Sequence, residues 1–144
     1  MQEFIETSHP LRYKSASDLA IHHVGWEQCP PGYHYGPRIC PYHIIHFVFS
    51  GSGTLFIDQS AQKVQAGQAF LIPADKIASY EASADDPWKY YWIGFLGTNA
   101  SGYVRLLMTI SQGTGIFSLP DISPYCQAIE DASLFQKMPY PLFF

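Results

Sequence analysis

The chain has 144 residues and a formal net charge of −4, with 47% hydrophobic and only 14% charged residues. This composition excludes a disordered chain and is typical of one folded domain with a large interior or an additional buried surface. With only 8 Lys and Arg, the chain offers no basic face for docking on nucleic acid by itself. Aromatic residues reach 16%, which suits either an aromatic β core or a cavity that presents rings to a ligand.

The N-terminal segment and the cysteines indicate the compartment. Residues 1–10 include Glu3 and Glu6 and no apolar run, so no signal peptide is expected. No stretch reaches the roughly 20 apolar residues that a membrane span needs. The cysteines have no CxxC spacing, so neither a disulfide framework nor a zinc site is predicted. We expect a cytoplasmic protein with reduced thiols, without a cofactor and without membrane association.

From Ile21 to Phe95 the sequence predicts antiparallel β-structure. Short apolar or alternating segments are separated by clusters of Gly, Pro, Asp and Ser that supply turn geometry. The predicted strands are residues 21–27, 42–49, 53–58, 63–66, 68–72, 77–82 and 88–95, with the CPPGYHYGP segment between the first two as a loop. This spacing indicates a mainly β sandwich or barrel.

After Phe95 the pattern changes to helices. Thr98 or Asn99 can cap a first helix that Gly113 closes, and Ser123 with Pro124 begins a second helix. The apolar stripes are Tyr103, Leu106, Leu107 and Ile110 on the first helix, and Tyr125, Ala128, Ile129 and Ala132 on the second. Two uses of these stripes stay open, packing on the barrel or a dimer contact. We divide the chain into a barrel with an N-terminal arm (1–97) and a helical segment (98–144) of one structural domain.

Two strand-and-turn units carry a resemblance to a known fold. YHIIHFVFSGSG at 42–53 is a strand that runs into a glycine turn, and AGQAFLIPAD at 66–75 places Gly67 and Pro73 before a second turn. These units resemble those of the cupins, in which they form opposite walls of a small jelly-roll barrel. The resemblance implies a mainly β, cupin-like jelly-roll barrel followed by two C-terminal helices.

The positions at which metal-binding cupins hold their ion carry other residues in this chain. Such cupins place two His and a Glu before the glycine turn and a further His after the proline turn. None of the aligned positions can coordinate a metal: they are Ile39, Pro41, Ile44 and Ala78. His43 and His46 lie three residues apart on one strand, so they point to opposite faces and cannot share an ion. No metal site is predicted.

The joint order of four segments resembles a more specific family. The CPPGYHYGP loop, the IIHFVFSGSGTL strand, the AGQAFLIPAD turn and the closing DPWKYYWIGF strand resemble the effector-binding domain of AraC-type transcription regulators, particularly those of sugar utilisation. In that family the barrel binds a small effector, the following helices dimerise, and separate C-terminal helix-turn-helix motifs bind the operator. The resemblance covers residues 23–95 and implies a sugar effector and a homodimer. We expect the sensory part alone, with DNA contact only through a domain absent from this chain.

Strand alternation and the resemblance together select the residues that face the ligand. If Ile44 points into the barrel, alternation places His46 on the same inner face. If Ala78 on the opposite wall points inward, Tyr80 does so too. The family has a Tyr and a Trp in the pocket that match Tyr80 and Trp92, and alternation adds Tyr90. A pyranose stacks its C–H faces on rings and exchanges hydrogen bonds through its hydroxyls, so this set suits a sugar. Core rings with one satisfied polar atom are the alternative interpretation.

Three further residues are candidates for ligand contact. Glu27, on the first strand near the predicted barrel mouth, could accept hydrogen bonds from sugar hydroxyls. Arg38, in the loop that enters the second strand, could bind hydroxyls or a carboxylate with two N–H groups. His34 in the same loop could close over a ligand. Surface or rim positions are the alternative for Glu27 and Arg38.

The chain is expected to bind its effector without transforming it. Neither Ser nor Cys stands in a recognisable turn motif with a partner His, as nucleophilic catalysis would require. The alternatives are a stand-alone cupin enzyme and a free-standing carbohydrate-binding protein. As a mechanism, ligand in the barrel is expected to change the order of the N-terminal arm or of the CPPGYHYGP loop, and so the placement of attached DNA-binding segments.

Overall fold

Two antiparallel sheets face each other in the computed structural model of the protein, which describes residues 18–136. The strands are β1 (Ala20–Gln28), β2 (His34–Arg38), β3 (His43–Ser50), β4 (Ser52–Ile57), β5 (Ser60–Gln65), β6 (Gln68–Ile72), β7 (Ala78–Ala82), β8 (Lys89–Leu96) and β9 (Ile116–Ser118). The helices are α1 (Ala100–Ile110) and α2 (Ser123–Gln136). The first sheet has the order β1-β8-β3-β6-β9 and the second β2-β7-β4-β5. This architecture confirms the predicted mainly β, cupin-like barrel with two helices in its C-terminal part.

Parts of the predicted organisation lie outside the described residues. These are the N-terminal arm up to residue 17, with its expected response to ligand, and residues 137–144 of the helical segment. Within residues 18–136, no helix combines the length and the apolar character that a membrane-spanning helix needs.

Two short edge strands were not predicted. β2 forms within the segment predicted as a loop and pairs with β7, and β9 forms between the helices and pairs with β6. Gly36 and Pro37 interrupt β2, whose residues are mostly exposed, so no apolar alternation marks it. β9 has only 3 residues, too few for a period-two pattern. Both strands form because they pair with strands that are distant in the sequence, and the residue patterns of β2 and β9 themselves do not indicate them.

Strand alternation gives the first sheet an inner and an outer face, each with its own hydrophobic cluster. The inner cluster includes Val48, Leu55, Phe70, Trp88 and Tyr90, each 0% exposed. On the outer face, Val24, Phe47 and Tyr91 pack with Ile122 and with Cys126 and Ile129 of α2. Because successive side chains of a strand point to opposite faces, β8 contributes to both clusters. The barrel interior and helix α2 therefore contact the same strand from opposite sides.

The apolar stripes predicted for the two helices are mostly exposed. Asn99 occupies the N-cap position of α1, one of the two predicted positions, but its side chain makes no capping hydrogen bond. The buried residues of that helix are Ala100 and Val104. Its predicted stripe faces outward, since Leu106 and Ile110 are 56% and 62% exposed. Packing of this stripe on the barrel is therefore wrong for α1. In α2 only Ile129 of the predicted stripe is buried against the outer cluster, whereas Tyr125, Ala128 and Ala132 are exposed. The predicted stripe is therefore wrong for α2 as well, because its buried face is formed by Cys126, Ile129 and Ser133.

Candidate functional site

Strand register assembles one layer of side chains across the middle of the first sheet. Trp92 on β8 lies opposite His46 on β3 and Gly25 on β1, and His46 lies opposite Phe70 on β6. Gly25 leaves the space that the indole occupies, because a Cβ atom there would lie 2.3 Å from Cζ2 of Trp92. The position of the predicted ligand platform thus depends on a glycine in the neighbouring strand.

His46 lies at the centre of an aromatic cluster inside the barrel. Its ring stacks on Phe70 with centroids 4.4 Å apart and 6° between the planes. The Tyr80 and Tyr90 rings meet it edge-on at 5.0 and 4.9 Å, and Trp92 lies 6.2 Å away. The four predicted pocket residues in this cluster are all buried, with no more than 3% of any of them exposed. The structure therefore brings His46, Tyr80, Tyr90 and Trp92 together in one interior cluster.

Burial holds the imidazoles, the thiol and the phenols of this interior in their neutral forms. It lowers the pKa of His46 to about 3, with a smaller contribution from nearby His23, and lowers the pKa of His23 to about 4. It raises the pKa of the Cys29 thiol to about 12 and the pKa values of Tyr80 and Tyr90 well above their ordinary range. At neutral pH the imidazoles are therefore uncharged and the phenols keep their protons.

Several buried polar atoms in the barrel have no hydrogen-bond partner within residues 18–136. They are both carboxylate oxygens of Glu27, Nδ1 of His46, Nε1 of Trp88 and the Tyr90 hydroxyl. Glu27 is only 4% exposed, although the sequence suggested a place near the barrel mouth. Burial raises the pKa of Glu27, and the Tyr90 hydroxyl on the facing strand acts in the opposite direction without reaching hydrogen-bond geometry. An unsatisfied buried polar group costs about 1–3 kcal/mol, so such a set favours a ligand that supplies the missing partners.

Arg38 and His34 lie on opposite faces of β2. Nη1 of Arg38 donates a hydrogen bond of 2.7 Å to the Tyr35 hydroxyl, and the Tyr35 ring stacks on Tyr80 with centroids 4.8 Å apart. Arg38 is exposed and therefore lies at the rim, where the Tyr35 ring separates it from the interior residue Tyr80. His34 lies opposite Glu81, and its Nδ1 is 3.6 Å from a carboxylate oxygen of that residue. The structure does not bring His34 to the aromatic cluster.

Sequence reasoning missed two interior residues that alternation could have found. Trp88 is fully buried, and its ring stacks on Phe70 at 5.4 Å and meets Tyr90 at 5.6 Å. His23 is 1% exposed and its ring lies 6.4 Å from Trp92. Trp88 has the same alternation as Tyr90 and Trp92, but it precedes the first residue of β8. Extending the alternation of β8 by one residue indicates Trp88, and alternation along β1 from Glu27 through Gly25 indicates His23.

The residues at the aligned metal positions do not fit a metal ion. Ile44 and Ala78 belong to the interior cluster, but they carry only hydrocarbon side chains. Ile39 is 55% exposed and Pro41 is exposed as well, so their alignment with interior ligands was wrong. In the part of the chain that the structure describes, no three His, Cys, Asp or Glu side chains are grouped as a metal site requires.

A surface groove of about 300 Å³ lies beside the β4–β5 hairpin. It is lined by Pro37, Phe56, Ile57, Asp58, Gln59, Ser60, Ala61, Ile77, Ala78 and Ser79, none of them a predicted site residue. It also has none of the unsatisfied polar atoms found in the barrel. The candidate site is therefore the barrel interior.

Comparison with known proteins identifies the family of this chain. Residues 21–138 match the AraC-like ligand binding domain. The chain belongs to this family of ligand-binding domains. At the level of individual proteins, it is similar to the Msm operon regulatory protein of Streptococcus mutans, with 41% identity over 88 residues, covering 61% of this chain and 32% of that protein.

A second relative bears the name of a sugar. The chain is 38% identical over 73 residues to the raffinose operon transcriptional regulatory protein RafR of Pediococcus pentosaceus, covering 49% of this chain and 26% of that protein. The chain thus matches a third or less of the length of these two relatives. It is also similar to the solved structure of a cupin 2 conserved barrel domain protein from Salinispora arenicola, with a TM-score of 0.49 and 14% identity, covering 63% of this chain and 74% of that chain.

Proposed function

We propose that this chain binds a mono- or oligosaccharide effector inside its barrel and is the sensory part of a sugar-responsive transcription regulator. The proposal is based on buried polar atoms that lie among aromatic rings and have no hydrogen-bond partner in the described part of the chain. Sugars combine apolar C–H faces with hydroxyls that both donate and accept hydrogen bonds, so they complement such a surface. Membership of the AraC-like family and the relative named for a raffinose operon support a sugar as the effector.

Each candidate residue has a specific part in this proposal. Trp92 provides the stacking platform, and His46, Tyr80 and Tyr90 exchange hydrogen bonds with the sugar hydroxyls. The Glu27 carboxylate accepts hydrogen bonds from the ligand. Two more residues belong to the rim, where Arg38 contacts the ligand beside Tyr35 and the outward-facing His34 reaches it only if β2 moves.

The proposed activity is binding without chemical change. Burial raises the pKa of Cys29 to about 12 and that of Cys126 to about 11, so neither thiol is an effective nucleophile at neutral pH. The matched relatives are named as regulators, which agrees with a sensing role. Binding energy must differ between two conformations of the regulator if the sugar is to act as a signal.

Operator binding and dimer formation are proposed from the net charge of the chain and from the exposure of apolar side chains on α1. The chain has 12 acidic residues against 8 Lys and Arg, so we assign operator binding to a separate basic segment of the regulator. We assign homodimer formation to the outward stripe of α1, where Tyr103, Leu106 and Ile110 are exposed. A regulator of this kind acts in the cytoplasm.

Calorimetric titration with raffinose, melibiose, lactose, galactose and glucose tests the proposal. Replacing Trp92→Phe removes part of the platform and should weaken binding of the sugar that binds best by about tenfold. The matched control is Trp26→Phe, since Trp26 lies on the outer face with the Lys89 ammonium 5.1 Å from its ring centroid. If no sugar binds the wild-type chain, or if Trp92→Phe binds as well as Trp26→Phe, the proposal is wrong.

A further inference from the structure

Glu27 is a buried acid with no partner for its charge among the described residues. Neither of its carboxylate oxygens has a hydrogen-bond donor among the described residues, and the side chain is 4% exposed. The ion pairs found in residues 18–136 join His34 to Glu81 and Lys76 to Asp58. Because desolvation of a carboxylate is costly unless donors or cations compensate it, the pKa of Glu27 is raised by burial.

The described interior groups around Glu27 offer no compensating positive charge. Tyr90 lies opposite Glu27 on β8, and both Tyr90 and the neighbouring Cys29 are neutral at physiological pH. The buried imidazole of His46 is neutral as well. The guanidinium of Arg38 is exposed at the rim and is bound to the Tyr35 hydroxyl.

We propose that Glu27 makes the barrel selective for neutral or cationic sugars and excludes sugar phosphates and sugar acids, an inference that rests on the proposed function. A carboxylate only accepts hydrogen bonds, so the ligand has to supply the donors, as hydroxyl and ammonium groups do. An anionic ligand would instead bring a second negative charge into a site of low dielectric, where like charges repel strongly. Specificity then comes from repulsion of the wrong ligand as well as from attraction of the right one.

Two series of sugars that share a ring and differ in charge test this selectivity. The first is galactose, galactosamine, galacturonate and galactose 6-phosphate, and the second is the corresponding glucose series. Titrations are made at pH 8, because alkaline pH favours the ionised form of a carboxyl group whose pKa is raised. We expect each anionic sugar to bind at least about tenfold more weakly than its neutral parent, and each amino sugar at least as tightly as that parent.

The variant Glu27→Gln keeps the shape of the side chain and removes its charge. It should reduce the preference for the neutral over the anionic sugar to less than about threefold. It should also unfold at a urea concentration no lower than the wild type does, because an uncompensated buried charge is lost. Glu81→Gln is the matched control, since it removes the same charge from an exposed position on β7 and should keep the wild-type preference.

The outcomes separate the selectivity from the function on which it rests. If no member of either series and none of the oligosaccharides binds, carbohydrate binding fails and the selectivity fails with it. If an anionic sugar binds as tightly as its neutral parent, for example through Arg38, carbohydrate binding stands and the selectivity is wrong. If Glu27→Gln keeps the full preference of the wild type, Glu27 is not the residue that causes it.

Discussion

Gly25 determines where the indole of Trp92 can lie. A Cβ atom at Gly25 would come within 2.3 Å of that ring, so Gly25→Ala forces the indole or β1 to move. Overpacking of this kind costs about 1–3 kcal/mol, and the same displacement should weaken sugar binding. Urea unfolding and tryptophan fluorescence measure the first effect, and calorimetry measures the second.

Gly102→Ala is the matched control for this substitution. Gly102 lies on the exposed side of α1, and a Cβ atom there would have nothing within 4 Å. Alanine is favoured over glycine in a helix by up to about 1 kcal/mol, so this variant should be as stable as the wild type or more stable. Equal stability and equal sugar affinity of the two variants would show that Gly25 does not position Trp92.

His46 makes stability depend on pH in a defined direction. Burial lowers its pKa from 6.5 to about 3, so the unfolded chain takes up a proton in a range where the folded chain does not. The free energy of unfolding should therefore fall with decreasing pH below pH 6.5, by up to about 1.4 kcal/mol per pH unit from this residue. His46→Phe removes this contribution, so urea unfolding from pH 7 to pH 4 should give a shallower slope. Parallel curves for the two proteins would contradict the buried neutral imidazole.

At the scale of elements, β8 connects the barrel interior to α2. Tyr90 and Trp92 point inward, whereas Tyr91 points outward and donates a hydrogen bond of 2.9 Å to the Glu130 carboxylate on α2. The end of the same helix is held by the Gln136 amide, which exchanges two hydrogen bonds of 3.2 Å with the backbone of Val24 on β1. These contacts fasten α2 to the strands that form the floor of the candidate site.

Removing the Tyr91 hydroxyl should loosen α2. Tyr91→Phe loses one partly buried hydrogen bond to a charged group, so stability should fall by about 1–2 kcal/mol, and hydrogen exchange over α2 should become faster. Tyr125→Phe is the control, because the exposed Tyr125 ring stacks on Phe47 and the substitution retains that stacking. If exchange in α2 is the same in both variants, the hydrogen bond to Glu130 does not hold the helix.

The elements that could be predicted are those whose own residues form an apolar segment bounded by turn residues, as in β3 and β8, which are largely buried on both faces. Alternation from Ile44 placed His46 in the interior, and alternation from Trp92, which the family resemblance supplied, placed Tyr90 there. β2 and β9 were missed because their pairing with β7 and β6 depends on distant segments rather than on their own residues. The outward stripe of α1 shows a further limit, since periodicity identifies an apolar face but not what covers it.

At the scale of the whole molecule, packing between strands decides which polar groups lack partners, and local sequence carries little of that information. The burial of Glu27 depends on how β1 aligns with β8, and an irregularity between Ile21 and His23 shifts that register. Trp88 is buried because the turn before β8 brings it beneath Phe70. The sequence could therefore indicate an aromatic interior, whereas the unsatisfied atoms that define its chemistry required the assembled barrel.

The outward stripe of α1 leads to a prediction about assembly. Leu106 and Ile110 are 56% and 62% exposed, and burying them against a second copy would remove apolar surface from water. We expect the wild-type chain to sediment as a dimer and Leu106→Glu to sediment as a monomer, because a charge buried in an apolar interface is costly. Sugar affinity should stay unchanged in the variant, since the barrel interior is untouched.

Ser101→Glu is the matched control for Leu106→Glu. It adds the same charge to another exposed face of α1, near the helix N-terminus, where an acidic side chain is favourable. This variant should therefore remain dimeric and should bind sugar as the wild type does. A wild-type chain that sediments as a monomer at concentrations of tens of micromolar, or a Leu106→Glu variant that stays dimeric, would mean that this stripe does not form the dimer contact, whereas sugar binding would be unaffected by either result.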